Sequence, residues 1–188
     1  MPDQRTDTDV IDELISDHQE ALKLLDQIPS ITDHDQRRDL ADTVISEVVR
    51  HSVSEEMYVY PAMREYVPDG EQALQHDTQE HQQLEEIMKQ LEGVPASEPR
   101  FDALVGELTE KLRHHAQDEE TEQFPQLRTY APGEELVKLR ERSILPRNSR
   151  RPARIRARPT MSCPTSSSAP ASGWWTSYAT GLTNRAHT

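Results

Sequence analysis

Two eleven-residue segments of the chain share a pattern of side chains that could bind metal. Residues 51–61 read HSVSEEMYVYP and residues 115–125 read HAQDEETEQFP, so both follow H-x-x-x-E-E-x-x-x-[Y/F]-P. Four residues of an α-helix bring the chain back to within about 40° of its starting direction, so each histidine shares a face with the glutamate four residues later. Imidazole and carboxylate donors together suit iron, manganese or zinc. The repeated motif therefore predicts a metal site.

Two further histidines stand at matching places in a second repeat. The segment DHQEALKLLDQI starts at residue 17 and EHQQLEEIMKQL starts at residue 80, an offset of 63 residues. His18 and His81 each occupy a position where the helical spacing of apolar residues calls for leucine. Burying imidazole and carboxylate groups without partners costs several kcal/mol each, and a metal centre would offset that cost.

The two repeats together supply six donors, more than a tetrahedral zinc site accepts. They fit two ions, and the symmetry of the repeat predicts how the ions share them. The predicted ligands are His18 with His51 on one ion, His81 with His115 on the other, and Glu55 with Glu119 as shared bridges. The acids that follow the bridges, Glu56 and Glu120, either face solvent or hydrogen-bond to the histidines.

Helices must position these side chains. Apolar residues recur at the 3.6-residue helical spacing through residues 8–140, and the chain breaks near Pro29, Pro68 and Gly93. No alternating β-branched run with hairpin turn residues occurs in the sequence. We predict an all-α fold, an up-down-up-down four-helix bundle with a pseudo-two-fold repeat. The second helix is expected to begin at Asp33, which stands three places before Gln36 as in a capping box.

The predicted bundle occupies residues 10–130, after a flexible N-terminus at residues 1–9. A short helix or linker follows at residues 131–142, and a disordered tail at residues 143–188. We interpret the unusual WWTSYAT segment of that tail as a sign of a frameshifted ending.

Composition narrows the function classes. The chain has 188 residues, a formal net charge of −13 and a single cysteine. Residues 1–140 hold 33 acidic and 13 basic residues, an excess of 20 negative charges, which argues against a nucleic-acid partner. Neither a secretory signal nor a membrane-spanning apolar run occurs, so we expect no membrane association and a cytoplasmic location.

The ligand pattern resembles the hemerythrin-like, or HHE cation-binding, domain over roughly residues 10–130. The residues that carry the resemblance are His18, His51-x-x-x-Glu55, Glu80-His81 and His115-x-x-x-Glu119-Glu120. The resemblance implies a four-helix bundle with two iron ions in an oxo- or hydroxo-bridged di-iron centre, with manganese or zinc as alternatives. It also implies reactivity with dioxygen, peroxide or nitric oxide, in sensing, iron handling or stress defence.

The chain departs from the oxygen-carrying members of that family on the third helix. Those members have an H-x-x-x-H pair there, whereas Asp77 stands four residues before His81. Asp77 or the adjacent His76 could complete one metal's ligand set, and helical position favours Asp77. His114 is expected to be exposed or to support a ligand. Tyr58, on the helical face of Glu55, is expected in the core, with a hydroxyl that could reach a metal-bound ligand.

Three functions are consistent with the sequence. The first is a di-iron protein that binds or reacts with a small oxidant, and the second is an enzyme that consumes peroxide or nitric oxide at the same centre. The third is a metal-free helical interaction module. The sequence leaves open whether the protein turns over a substrate, and it leaves the oligomeric state open.

Overall fold

The computed structural model describes residues 8–143, and every element within that range is helical. The prediction of an all-α fold is confirmed for this part of the chain. The seven α-helices within it are α1 (Val10–Gln27), α2 (His34–Ser54), α3 (Tyr60–Tyr66), α4 (Gly70–Gly93), α5 (Pro99–Asp118), α6 (Phe124–Tyr130) and α7 (Gly133–Ser143). The predictions for the N-terminus before residue 8 and for the tail after residue 143 lie outside the described residues.

Side-chain caps begin the first two helices. Asp9 accepts a hydrogen bond from the backbone N–H of Asp12, and Asp12 returns one to the backbone of Asp9, which completes a capping box before α1. A 3₁₀ turn at Ile28–Ser30, which contains Pro29, ends that helix. Asp33 caps α2 by accepting a hydrogen bond from the N–H of Gln36 at 2.8 Å, so the predicted start of that helix is confirmed.

A five-residue π-helical segment follows both α2 and α5. The segments span Glu55–Val59 and Glu119–Gln123, and each starts at a predicted bridging glutamate. In the first, the N–H of the residue after the segment donates to the carbonyl of Glu55, five residues back. The second residue after each segment is a proline, Pro61 or Pro125, and proline has no N–H for a regular helical bond. The π turn therefore accommodates a proline within a nearly continuous run of helix. Such π-bulges often occur at functional sites.

A tight turn joins α3 to α4. Asp69 adopts a left-handed conformation with φ of 59°, which aspartate tolerates better than most residues. Gly70 then opens α4 so close to α3 that a Cβ atom at this position would press against the carbonyl oxygen of Met63. Glycine at position 70 is therefore required by backbone proximity.

An apolar cluster lies beside the histidine-bearing segments. α1 packs against α2, α5 and α7, and α4 packs against α3 and α5. Leu136 and Leu139 of α7 join this cluster, so α7 covers the α1 side of the core. The cluster consists of Val10, Ile11, Leu14, Val59, Tyr60, Ala62, Met63, Val67, Leu74, Phe124, Leu127, Ala131, Leu136 and Leu139. Between residues 8 and 143, no helix has the length and apolar character needed to cross a bilayer.

Candidate metal centre

All six predicted ligands are buried. His18 lies in the middle of α1 and His81 in the middle of α4, whereas the other four stand where α2 and α5 pass into their π segments. The exposed fraction is 1% for five of them and 3% for His51. The histidines thus occupy core positions in place of the apolar residues that would otherwise fill them.

The side chains converge on the two glutamates. Nε2 of His51 and Nε2 of His81 both lie 3.3 Å from the same oxygen, Oε2 of Glu55. On the other glutamate, Oε2 of Glu119 lies 3.3 Å from Nε2 of His18 and 3.6 Å from Nε2 of His115. Each carboxylate therefore stands between two imidazoles from different helices, as a bridging group would.

The imidazole rings lie close together in the pairs that the repeat predicts. Ring centroids of His18 and His51 are 4.4 Å apart, and those of His81 and His115 are 4.9 Å apart. Two overlapping groups have ligand atoms that all lie within 4.8 Å of one another: His18, His51, His115 and Glu119, and Glu55, His81, His115 and Glu119. The assignment of particular residues to particular ions stays a prediction.

Several of the converging atoms have no hydrogen-bond partner among the described residues. They include Nε2 of His18, His51 and His115, both side-chain oxygens of Glu55, and Oε2 of Glu119. Buried polar groups are normally hydrogen-bonded, so a cluster of such atoms aimed at one region requires an explanation. The donor set of imidazole nitrogens and carboxylate oxygens fits first-row transition metals, iron among them.

A carboxylate approaches the outward-facing nitrogen of each histidine. Nδ1 of His18 lies 3.0 Å from Glu120, and Nδ1 of His115 lies 3.1 Å from Glu80. Nδ1 of His81 lies 3.5 Å from Glu56. In the remaining case, Nδ1 of His51 lies 3.7 Å from Asp17. Glu56 and Glu120 therefore face histidines rather than solvent alone, which resolves one of the alternatives left open above.

Two of these carboxylates, Asp17 and Glu80, were missed as supporting residues by sequence reasoning. Each directly precedes a buried histidine in its own helix, yet it contacts the histidine of the neighbouring helix. The signal was present, since the acid–histidine dipeptide occurs in both copies of the repeat.

Ionisation of the centre reflects these contacts. Burial alone would lower the pKa of His51, but the charge of Glu55 and the nearby carboxylate of Asp17 raise it to about 10. Burial is likewise overcome at His81, where the nearby carboxylates of Glu55 and Glu56 raise the pKa to about 10. Although burial opposes ionisation of Glu55, the charge of His51 holds the pKa of that carboxyl well below its ordinary value. Without metal, protonated His51 and His81 therefore balance the charge of the Glu55 carboxylate, and metal binding must displace those protons from the imidazoles.

The structure separates the two candidates for an additional ligand. Asp77 is fully buried, accepts a hydrogen bond at 2.5 Å from the side-chain amide of Gln123, and has a second oxygen without a hydrogen-bond partner in the described region. Burial, followed by the charge of Glu119, raises the pKa of Asp77 to about 8. His76 lies at the surface with a side chain 55% exposed, and it belongs to neither group of converging buried donors. His114, 63% exposed, is also at the surface.

An aromatic ring packs parallel to a histidine on each side of the centre. Tyr60 stacks on His81 with centroids 6.0 Å apart and planes 14° apart, and Phe124 stacks on His18 at 6.1 Å and 10°. The hydroxyl of Tyr60 lies 3.2 Å from Nδ1 of His81. These rings are the tyrosine or phenylalanine of the repeated motif. Tyr58, which the sequence predicts in the core, packs partly buried against the apolar cluster.

The helical part of the chain is similar to known proteins. The family model for the hemerythrin HHE cation-binding domain matches residues 9–127. A hemerythrin-like protein of Schizosaccharomyces pombe, itself uncharacterized, is 30% identical over 129 residues, which are 68% of this chain and 64% of that protein. A DNA nickase of Nostoc sp. is 21% identical over 131 residues, which are 70% of this chain and 37% of that protein. The matched region is thus less than two thirds of either relative. No solved structure matches the chain significantly.

Proposed function

The chain belongs to the hemerythrin HHE cation-binding family, and we propose that it is a non-haem di-iron protein that binds or reacts with a small oxidant. In this proposal the long helices form an up-down-up-down four-helix bundle with pseudo-two-fold symmetry. The proposed ligands are His18, His51, Glu55, His81, His115 and Glu119, with Asp77 as an additional ligand. When bound, the iron pair supplies redox chemistry toward dioxygen, peroxide or nitric oxide.

The observation that carries the proposal is the set of buried donor atoms without hydrogen-bond partners around Glu55 and Glu119. An apolar replacement for each histidine would avoid the cost of burying imidazole. The chain instead places four imidazoles in the core and turns their Nε2 atoms toward two carboxylates. Iron fits this mixed set of nitrogen and oxygen donors, and manganese or zinc are the alternatives.

The surrounding carboxylates prepare the histidines for ligation. Glu120 accepts a hydrogen bond from Nδ1–H of His18, and Glu80 accepts one from Nδ1–H of His115. A proton held on Nδ1 leaves the lone pair of Nε2 available to a metal and fixes the orientation of the ring. The stacked rings of Tyr60 and Phe124 shield two of the imidazoles from water on one face.

Our proposal does not include DNA nicking, the activity named for the Nostoc relative. That protein is a DNA nickase, and this chain aligns with only 37% of it. The excess of 20 negative charges over residues 1–140 repels phosphate, so we propose no nucleic-acid partner.

Metal analysis combined with an oxidant titration tests the function. We expect about two iron ions per chain in protein reconstituted with Fe²⁺, and a change in the ultraviolet–visible spectrum when peroxide is added. A single stoichiometric change supports binding, whereas continuous consumption of peroxide supports the alternative of an enzyme. His51→Ala should lose most of the iron and His34→Ala, at an exposed position on α2, should keep it. Metal-free protein after reconstitution would favour the helical interaction module.

A further inference from the structure

A second group of metal-binding side chains lies on the surface shared by α4 and α5. His76 and Glu80 are four residues apart on α4, and His114 and Asp118 are four apart on α5. Nε2 of His76 lies 3.6 Å from Oε1 of Glu80 and 3.5 Å from Oδ2 of Asp118. Nδ1 of His114 lies 3.2 Å from the same oxygen of Asp118. Ligand atoms of His76, Glu80 and Asp118 all lie within 4.8 Å of one another.

The matching surface of the first repeat holds an arginine. Asp17 matches Glu80 in the repeat, and Arg50 matches His114. Nη2 of Arg50 donates a hydrogen bond to Oδ2 of Asp17 at 2.6 Å, so this carboxylate has a permanent cation beside it. At Glu80 the guanidinium is replaced by an imidazole, which is a metal ligand in its neutral form. This asymmetry suggests that an external cation balances the charge of the Glu80 carboxylate, as Arg50 balances the charge of Asp17.

From the geometry and this asymmetry, we propose that His76, Glu80, His114 and Asp118 form a second, exposed site for a divalent transition metal such as zinc. His76, Glu80 and Asp118 would supply three donors, and His114, which lies beside Asp118, would supply the fourth donor of a tetrahedral zinc site. Ion pairs between such partly exposed groups stabilise a protein by at most about 1 kcal/mol, so they do not by themselves explain the convergence of four side chains. The proposal does not depend on which metal the buried centre holds.

Glu80 connects this surface site to the buried centre. Oε1 of Glu80 faces His76, while Oε2 accepts the hydrogen bond from Nδ1 of His115 at 3.1 Å. A cation bound at Oε1 would draw negative charge away from Oε2 and weaken that hydrogen bond. Surface metal would thereby alter the basicity of a buried ligand, as other groups that support metal ligands do.

Equilibrium dialysis tests the surface site. Iron-reconstituted protein is dialysed against zinc at a series of buffered concentrations, and iron and zinc are then measured in the same sample. We expect the wild type to bind about one zinc per chain at this site. His76→Ala and His114→Ala should each bind that zinc at least about tenfold more weakly. His34→Ala is the matched control, because it removes an exposed histidine outside the cluster. Thermal melting of each variant verifies that it is folded.

The variants separate this proposal from the proposed function. His51→Ala should lose the buried metal but still bind zinc at the surface site. His76→Ala should lose that surface zinc and keep the buried metal. The surface site is refuted if the wild type and His76→Ala bind the same amount of zinc at every concentration. A wild type without zinc at the highest concentration would refute it equally, whatever the iron content.

Discussion

Removal of the metal should lower the free energy of unfolding, and the number of buried donor atoms without hydrogen-bond partners gives the size of the loss. Of the four proposed histidine ligands and the two bridging glutamates, five have side-chain atoms without a hydrogen-bond partner in the described part of the chain: His18, His51, Glu55, His115 and Glu119. At about 1 kcal/mol for each buried group left unpaired, metal removal costs about 5 kcal/mol. Protonation of His51 and His81 recovers about 1.5 kcal/mol for each charge-assisted contact with Glu55, which reduces the loss to about 2 kcal/mol.

The assay is differential scanning calorimetry of iron-loaded and chelator-treated protein at equal concentration. For a chain of 188 residues, a loss of 2–5 kcal/mol corresponds to a melting temperature lower by roughly 6–15 °C, at about 3 °C per kcal/mol. His51→Ala provides the control, because added iron should leave its melting temperature nearly unchanged. If wild type loaded with about two irons melts within about 2 °C of the metal-free protein, the reasoning from unpaired donors is refuted.

Three further predictions follow from individual contacts. Tyr60→Phe should keep the iron and lower the free energy of unfolding by about 1 kcal/mol, because His81 loses the hydroxyl; loss of iron would contradict this. Gly70→Ala should destabilise by about 1–3 kcal/mol in urea denaturation, because its Cβ meets the Met63 carbonyl, whereas Gly106→Ala, open on α5, should be neutral or stabilising. The pKa of His51 is raised from 6.5 to about 10 in the folded protein, so the stability that its proton contributes is complete below pH 6.5 and is lost as pH rises toward 10. Denaturation of metal-free protein across this range should show the decline, and a flat profile would contradict it.

The six buried donors could be predicted because they break a helical pattern in a repeated way. His18 and His81 interrupt rows of apolar residues, and the histidine–glutamate pairs recur with the same spacing. Spacing alone could not reveal that Asp17 and Glu80 contact the histidine of a neighbouring helix, because that depends on how the helices pack. For the same reason, sequence spacing only favoured Asp77 over His76 as the additional ligand. The burial of Asp77 and the exposure of His76 in the structure distinguish them more firmly.

The sequence did not reveal that Tyr60 rather than Tyr58 stacks on a histidine, and the π segment after Glu55 is the physical reason. Regular α-helical geometry places Tyr58, three residues on, near the face of Glu55, and this was the basis of the prediction. The π turn bonds Tyr60 back to Glu55 across five residues, so the residue after the segment returns to the buried face in place of Tyr58. Phe124 occupies the same position after Glu119 and stacks on His18. Each π turn, with a proline just after it, thus decides which aromatic ring lies against the centre, and this accounts for an aromatic residue and a proline recurring in the motif together with the ligands.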